Sequence, residues 1–184
     1  MADISITTGS ARYSAPAVEP ASAGGEPCFD LIELLFFAYR DFVGDADEVL
    51  AKLGFGRAHH RVLHFVNRNP GMKVADLLDV LRITKQSLGR VLKQLLDEGY
   101  VVQKEGANDR RQRLLYVSAK GGALAMQLAG LQTARIARVL GELEPGARET
   151  ARHFLAGMIG AQDRAHVLRM IAEADRLRAR DGAS

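Results

Sequence analysis

The chain has 184 residues, 47% of them hydrophobic, and a single cysteine, so it can bury the core of an ordinary domain but cannot form an internal disulfide framework. The formal net charge of +3 is unevenly spread: residues 1–54 carry a net −6, residues 55–120 a net +7 and residues 121–184 a net +2. A basic middle segment is typical of proteins that bind polyanions, and the lack of any long uninterrupted apolar stretch argues against a membrane protein.

The first 27 residues differ in composition from the rest of the chain, because 16 of them are Ala, Ser, Gly or Pro. They lack the basic start and the continuous apolar stretch of a secretory signal. We therefore expect a flexible tail over residues 1–27 and a cytoplasmic protein, in keeping with the single cysteine.

A strongly apolar segment opens the next region, residues 28–54. Its apolar residues cover more than one face of a predicted helix, so the helix needs burial on several sides, and we infer that a second subunit covers it. A separate short acidic helix is expected from about residue 45 to 53. The apolar residues are Phe29, Leu31, Ile32, Leu34, Leu35, Phe36, Phe37 and Tyr39.

The basic middle, residues 55–120, has the pattern of a helix-turn-helix. A helix over about 57–67 is followed by a short amphipathic helix and then, after a tight turn, by a helix over about 84–98 that Thr84 can N-cap. The short helix is predicted from Val74, Leu77, Leu78 and Leu81, and the inner face of the last one from Leu88, Val91, Leu92, Leu95 and Leu96.

A predicted β-hairpin follows that last helix. Residues 100–104 and 114–117 are strand-like, and the wing between them, about 106–113, is rich in arginine. We expect one or two of its arginines to reach the minor groove or the phosphates of duplex DNA. Another arginine is expected to pair with Asp109, which would shape the wing. The arginines are Arg110, Arg111 and Arg113.

Helical spacing resumes over about 118–143 and continues after Pro145-Gly146. The predicted fold class is mainly α with a small β-hairpin wing, in which a winged helix-turn-helix DNA-binding lobe is joined to a helical lobe.

The outer face of the predicted helix over 84–98 has side chains suited to reading DNA. Arginine can pair bidentately with guanine and glutamine with adenine, while serine and threonine can contact bases or phosphates. A charged helix face can equally be a solvated surface, but this one carries no acid before Asp97, follows a short helix and turn, and precedes a cationic hairpin. The predicted DNA-binding residues of this helix are Thr84, Lys85, Gln86, Ser87, Arg90 and Lys93, with Gln94 on the same face.

The stretch from Leu53 to Gly121 resembles the MarR family of bacterial winged-helix transcription regulators. Residues 109–121, Asp-Arg-Arg-Gln-Arg-Leu-Leu-Tyr-Val-Ser-Ala-Lys-Gly, are similar to that family's wing signature, with Ser118-Ala119 in place of the usual Leu-Thr. The resemblance implies a homodimer whose terminal helices, within residues 28–54 and 121–184, form the interface. It also implies that a small molecule, a metal or an oxidant could release the protein from DNA.

Three sensor chemistries stay open at this stage. Cys28 precedes the first helix, but its acidic neighbours Glu26 and Asp30 oppose thiolate formation, so an inert thiol is favoured over a redox sensor. His60 and His64 have the i, i+4 spacing of metal ligands, but no further ligand lies beside them, so structural histidines are favoured and no metal site is predicted. An organic effector in the cleft between the two lobes is the third alternative.

The leading hypothesis is a sequence-specific, dimeric DNA-binding transcription regulator. Its two recognition helices, about 84–98, would enter successive major grooves about 34–36 Å apart on a pseudo-palindromic duplex operator. A hypothesis of another class is a winged-helix module that binds a protein, which predicts apolar residues on the outer face instead of Gln86, Arg90 and Lys93. We expect neither an enzyme nor a cofactor, since the sequence has no phosphate-binding glycine loop and no nucleophile elbow.

Overall fold

The structure is a computed structural model that describes residues 26–106 and 112–181. In this part of the chain, helices dominate and three short strands form one antiparallel sheet, so the predicted fold class is confirmed. The elements are α1 Phe29–Ala51, α2 Arg57–Arg68, β1 Met72–Lys73, α3 Val74–Leu81, α4 Lys85–Asp97, β2 Val101–Glu105, β3 Arg113–Val117, α5 Ala119–Gly141, α6 Ala147–Met158 and α7 Ala161–Asp181.

The first helix, α1, is longer than predicted. The separate acidic helix expected from about 45 to 53 is wrong, because α1 continues unbroken to Ala51. Val43, Ala46 and Leu50 follow helical spacing and are all buried. A single helical glycine such as Gly44 costs about 1 kcal/mol relative to alanine, whereas burying one leucine contributes about 1.5–3 kcal/mol. The buried stripe therefore keeps the helix continuous.

The predicted helix-turn-helix is confirmed in α2, α3 and α4. The predicted inner face of α4 packs into the main core, where Leu88, Val91, Leu92 and Leu95 are buried. Leu77 and Leu81 of α3 reach the same core. Because these apolar side chains all face inward, the opposite side of α4 is left to solvent.

The sheet contains one strand that the sequence did not predict. Its order is β1-β3-β2, so β1 pairs with β3 on the side away from β2. Met72 lies opposite Leu115, and Leu115 is fully buried. With only two residues, β1 has no periodicity of its own, and it forms because β3 offers a free edge next to the core.

The C-terminal helices begin at a tightly packed junction. Ser118 N-caps α5 by accepting a hydrogen bond from the Gly121 amide at 3.0 Å. Further along the chain, Ala174 of α7 is buried and Met170 packs against the core, whereas α6 has no buried residue. None of the helices described here has both the length and the apolar character that crossing a membrane requires.

Candidate nucleic-acid interface

The start of α4 is held by its N-cap. The Thr84 hydroxyl oxygen accepts a hydrogen bond from the Ser87 amide at 3.1 Å, and the same hydroxyl donates to Ser87 Oγ at 2.9 Å. Thr84 and Ser87 are thereby engaged with each other, as expected for a capped first turn. Lys85 and Gln86, between them, are exposed.

The outer face of α4 carries exposed cations that differ in their pairing. Within residues 26–106 and 112–181, no ion pair involves Lys85 or Arg90, whereas Lys93 forms an i, i+4 pair with Asp97. An added Cβ at Gly89 would meet nothing within 4 Å, so this glycine does not make room for a neighbouring helix. Arg90 and Lys85 are therefore the charges that α4 offers most directly to an anionic partner.

Gln94 is placed differently from the other polar residues of this face. Its side-chain oxygen lies 2.9 Å from Nε2 of His59 in α2, and its amide nitrogen donates to Glu98 at 2.9 Å. The His59 ring stacks on Phe55 at 4.7 Å between centroids and accepts a hydrogen bond from the Gly56 amide. Gln94 therefore ties α4 to α2, which the sequence analysis did not foresee.

The hairpin contains one of the three predicted wing arginines within the described residues. Arg113 pairs with Glu105, directly opposite on β2, at 2.9 Å. A wing arginine was also predicted from the sequence to pair with Asp109. Asp109, Arg110 and Arg111 lie outside the described residues.

A junction that the sequence analysis missed connects α4 to the hairpin. The Lys120 ammonium donates to the Glu98 carbonyl at 3.2 Å and lies 3.9 Å from the centroid of the Tyr100 ring. A cation at the C-terminal end of a helix interacts favourably with the helix dipole. Because Tyr100 is buried and immediately precedes β2, Lys120 helps fix the hairpin relative to α4. Lys120 lies within residues 53–121, the segment that resembles the MarR family. Its position in the sequence does not reveal these contacts.

Of the histidine pair, His60 is buried and His64 is half-buried. Burial lowers the pKa of His60 and of His64 below their usual value, and the positive charges of His60 and Arg68 lower the pKa of His64 further. No cluster of three or more His, Cys, Asp or Glu side chains that could hold a metal was found among the described residues. Cys28 is an exposed free thiol at the N-cap position of α1.

A cavity of about 1050 Å³ separates α7 from α2 and from the turn between α3 and α4. Most of its wall is apolar, and a few polar side chains interrupt it. The apolar residues include Phe65, Leu78, Ile83, Val167, Met170 and Ile171, and the polar ones are His64, Asp79, Arg82, Thr84, Asp163 and His166. The cavity therefore borders the turn that leads into α4.

The first half of α1 leaves a large apolar surface uncovered. We call the eight residues predicted to need burial, from Phe29 to Tyr39, the N-terminal apolar stretch. All eight are exposed in the single chain, Phe36 to 68%, Phe29 to 63% and Leu34 to 62%. A contiguous apolar patch of this kind is typical of an interaction surface.

Comparisons with known proteins agree with this architecture. The sequence-family model of the MarR family matches residues 53–112 of this chain. The HTH-type transcriptional regulator PetP of Rhodobacter capsulatus is 42% identical over 135 residues, which cover 73% of this chain and 81% of that protein.

Solved structures share the fold at low sequence identity. Streptococcus pneumoniae FabT, solved in complex with DNA, superposes with a TM-score of 0.63 at 14% identity, covering 71% of this chain and 93% of that one. The transcriptional regulator SlyA gives a TM-score of 0.59 at 17% identity, covering 70% and 91%. From the family match and the similarity to PetP, the chain belongs to the MarR family of winged-helix transcription regulators.

Proposed function

We propose that this protein is a cytoplasmic, homodimeric transcription regulator that binds duplex DNA with α4 in the major groove and the wing, about 106–113, at the minor groove or phosphates. The observation that carries this proposal is the outer face of α4. Lys85, Gln86 and Arg90 are exposed on a capped helix whose opposite face is locked into the core. A rigid helix with outward Arg, Gln and Lys side chains suits base and phosphate contacts.

The N-terminal apolar stretch supports the dimer. A second copy of the chain, related by a two-fold axis, would cover this surface by presenting the same stretch. Exposed apolar residues of α6, among them Phe154, Leu155 and Met158, would extend the interface. On this proposal residues 28–54 and 121–184 supply the dimer contacts, residues 55–120 contact DNA, and the two α4 helices read the half-sites of a pseudo-palindromic operator.

Substituting Arg90 tests the DNA contact. We expect Arg90→Ala to weaken operator binding about 10- to 100-fold, because a bidentate arginine–base contact contributes about 1–3 kcal/mol. Lys93→Ala is the comparison on the same helix, because its ammonium is shared with Asp97 and a lysine–phosphate contact should contribute to specific and nonspecific affinity alike. We expect it to change affinity much less. Fluorescence anisotropy with operator duplex selected from genomic fragments provides the measurement.

The same titrations separate the competing functions. Salt-sensitive binding of a nonspecific duplex by the parent protein is expected of a DNA regulator but not of a protein-binding module. Arg111→Ala, in the wing, should reduce the slope of log affinity against log salt concentration by about one, as expected for the loss of one phosphate contact. Unchanged affinity and salt slope in both the Arg90 and Arg111 variants would overturn the proposed contacts.

We also infer that the cavity beside α7 holds an apolar organic effector. Its mostly apolar wall and its contact with the turn before α4 support this role. Val167→Phe should fill part of the cavity and reduce the fluorescence of added 8-anilinonaphthalene-1-sulfonate, a probe of apolar sites, relative to the parent. The N-terminal apolar stretch is unchanged in this variant, so its contribution is constant. Equal probe fluorescence in the two proteins would contradict an accessible cavity.

A further inference from the structure

The turn between α3 and α4 contains an unusual backbone conformation. Arg82 has φ 50° and ψ 45°, and it is the only residue other than glycine with a positive φ in the described part of the chain. L-residues with a Cβ rarely adopt this left-handed conformation, and glycine or asparagine is the usual choice there. Arg82 therefore holds a backbone conformation that glycine would adopt at lower cost.

The Arg82 side chain reaches a different part of the fold. Its guanidinium lies 2.6 Å from the carboxylate of Asp163, in the first turn of α7. The neighbouring Arg164 donates to the carbonyls of Gly157 and Ile159, at 2.9 and 3.0 Å, so the α6–α7 junction that carries Asp163 is itself held. The ion pair therefore joins the internally hydrogen-bonded α6–α7 junction to the turn before α4.

The opposite side of this turn is held as well. Arg61 of α2 donates to the carbonyl of Leu81, the last residue of α3, at 2.8 Å. Two residues after Arg82, Thr84 caps α4. A displacement of the turn would therefore move the first residues of α4, which include Lys85 and Gln86.

We propose that Asp163 is a positioning residue for DNA binding, which acts through Arg82 to hold the turn and the start of α4 in the orientation that reads the operator. This inference rests on the proposed DNA-binding function. Asp163 lies on α7, outside the reading surface, and its carboxylate would by itself repel phosphate. Its contribution to affinity is therefore indirect and passes through the ion pair.

Asp163→Asn separates positioning from a direct phosphate contact of Arg82. If Arg82 simply bound phosphate, removing a nearby negative charge would leave DNA affinity unchanged or raise it. If the pair positions α4, the variant should bind operator about 5- to 10-fold more weakly, in the range of coupling through side-chain networks. Affinity for a nonspecific duplex should stay the same, so the ratio of specific to nonspecific binding should fall.

A second ion pair on α7 provides the matched control. Asp175 pairs with Arg68 at the end of α2, at 2.5 Å, and so attaches α7 to the winged helix without touching the turn. Asp175→Asn should leave operator affinity within about twofold of the parent, because Arg68 lies at the end of α2 and the pair contacts neither the turn nor α4. Thermal unfolding of both variants verifies that they remain folded.

A double-mutant cycle completes the test. Arg82→Gly removes the side chain while permitting the left-handed backbone, and combining it with Asp163→Asn should weaken binding no more than Arg82→Gly alone. Additive losses, an Asp163→Asn affinity equal to or above that of the parent, or an equal loss in Asp175→Asn would each overturn the inference. Failure of the parent protein to bind any duplex would instead refute the proposed function itself.

Discussion

Gly121→Ala is expected to lower the free energy of unfolding by about 3 kcal/mol, at the upper end of the usual cost of overpacking. An added Cβ would lie 1.9 Å from the carbonyl oxygen of Tyr100, which is backbone and not a flexible side chain. That carbonyl accepts a hydrogen bond from the Ser118 amide at 3.0 Å, while the Tyr100 amide donates to Leu95 at 2.8 Å. The Tyr100 carbonyl therefore cannot shift away from an added Cβ without disturbing the hydrogen bonds that join α4, the sheet and α5. Urea unfolding followed by circular dichroism measures the loss.

The adjacent glycine is the control for this substitution. A Cβ at Gly122 would lie 3.7 Å from its nearest neighbour, the Val117 side chain, which is an ordinary contact. Because alanine is favoured over glycine in a helix by about 1 kcal/mol, Gly122→Ala should stabilise the protein slightly or leave its stability unchanged. Equal stabilities of the two variants would show that the close approach of Gly121 to the Tyr100 carbonyl does not exclude a side chain at residue 121.

Phe36→Asp is expected to convert the dimer to monomers and to weaken operator binding at least 100-fold. In a symmetric dimer the substitution would place a charge on both sides of an apolar interface without partners. Monomers would then engage one half-site at a time and lose the avidity of two linked binding events, which is commonly 10²- to 10⁴-fold. Light scattering after size-exclusion chromatography reports the mass, and anisotropy reports the affinity.

Each protomer should stay folded in this variant, since Phe36 is largely exposed in the single chain. Val102→Asp serves as the control for oligomeric mass, because it introduces the same charge at an exposed apolar residue of β2, outside the segments assigned to the dimer interface. We expect it to remain dimeric. A parent protein that is already monomeric at micromolar concentration, or a Phe36 variant that remains dimeric, would contradict the interface assigned to the N-terminal apolar stretch.

The winged helix was predictable because its signals are local. The leucine spacing of α4 and the Thr84 cap each depend on residues within two turns of one another, and both appear in the structure as expected. The separate helix over about 45–53 was predicted wrongly, because its acidic residues set this segment apart from the apolar stretch that precedes it. The buried stripe through Val43, Ala46 and Leu50 outweighs that local signal, and only packing reveals it.

The assignment of individual polar side chains was less predictable. Gln94 shares the helical spacing of Gln86 and Arg90, yet it turns to His59 on α2. Arg113 was grouped with the DNA-contacting arginines, and it pairs with Glu105 across the hairpin. Spacing identifies the face of a helix or strand on which a residue lies, but the partner depends on which other element passes within hydrogen-bonding distance.

By itself, the sequence determined the fold class, the family resemblance, the basic middle segment and the outward polar face of α4, because composition, periodicity and capping act over a few residues. The tertiary structure alone decided the two-residue strand β1, the close approach at Gly121 and the ion pair between Arg82 and Asp163. These features join residues that are far apart in the chain, so they depend on how the helices pack. Charge spacing along the sequence contains no information about such contacts.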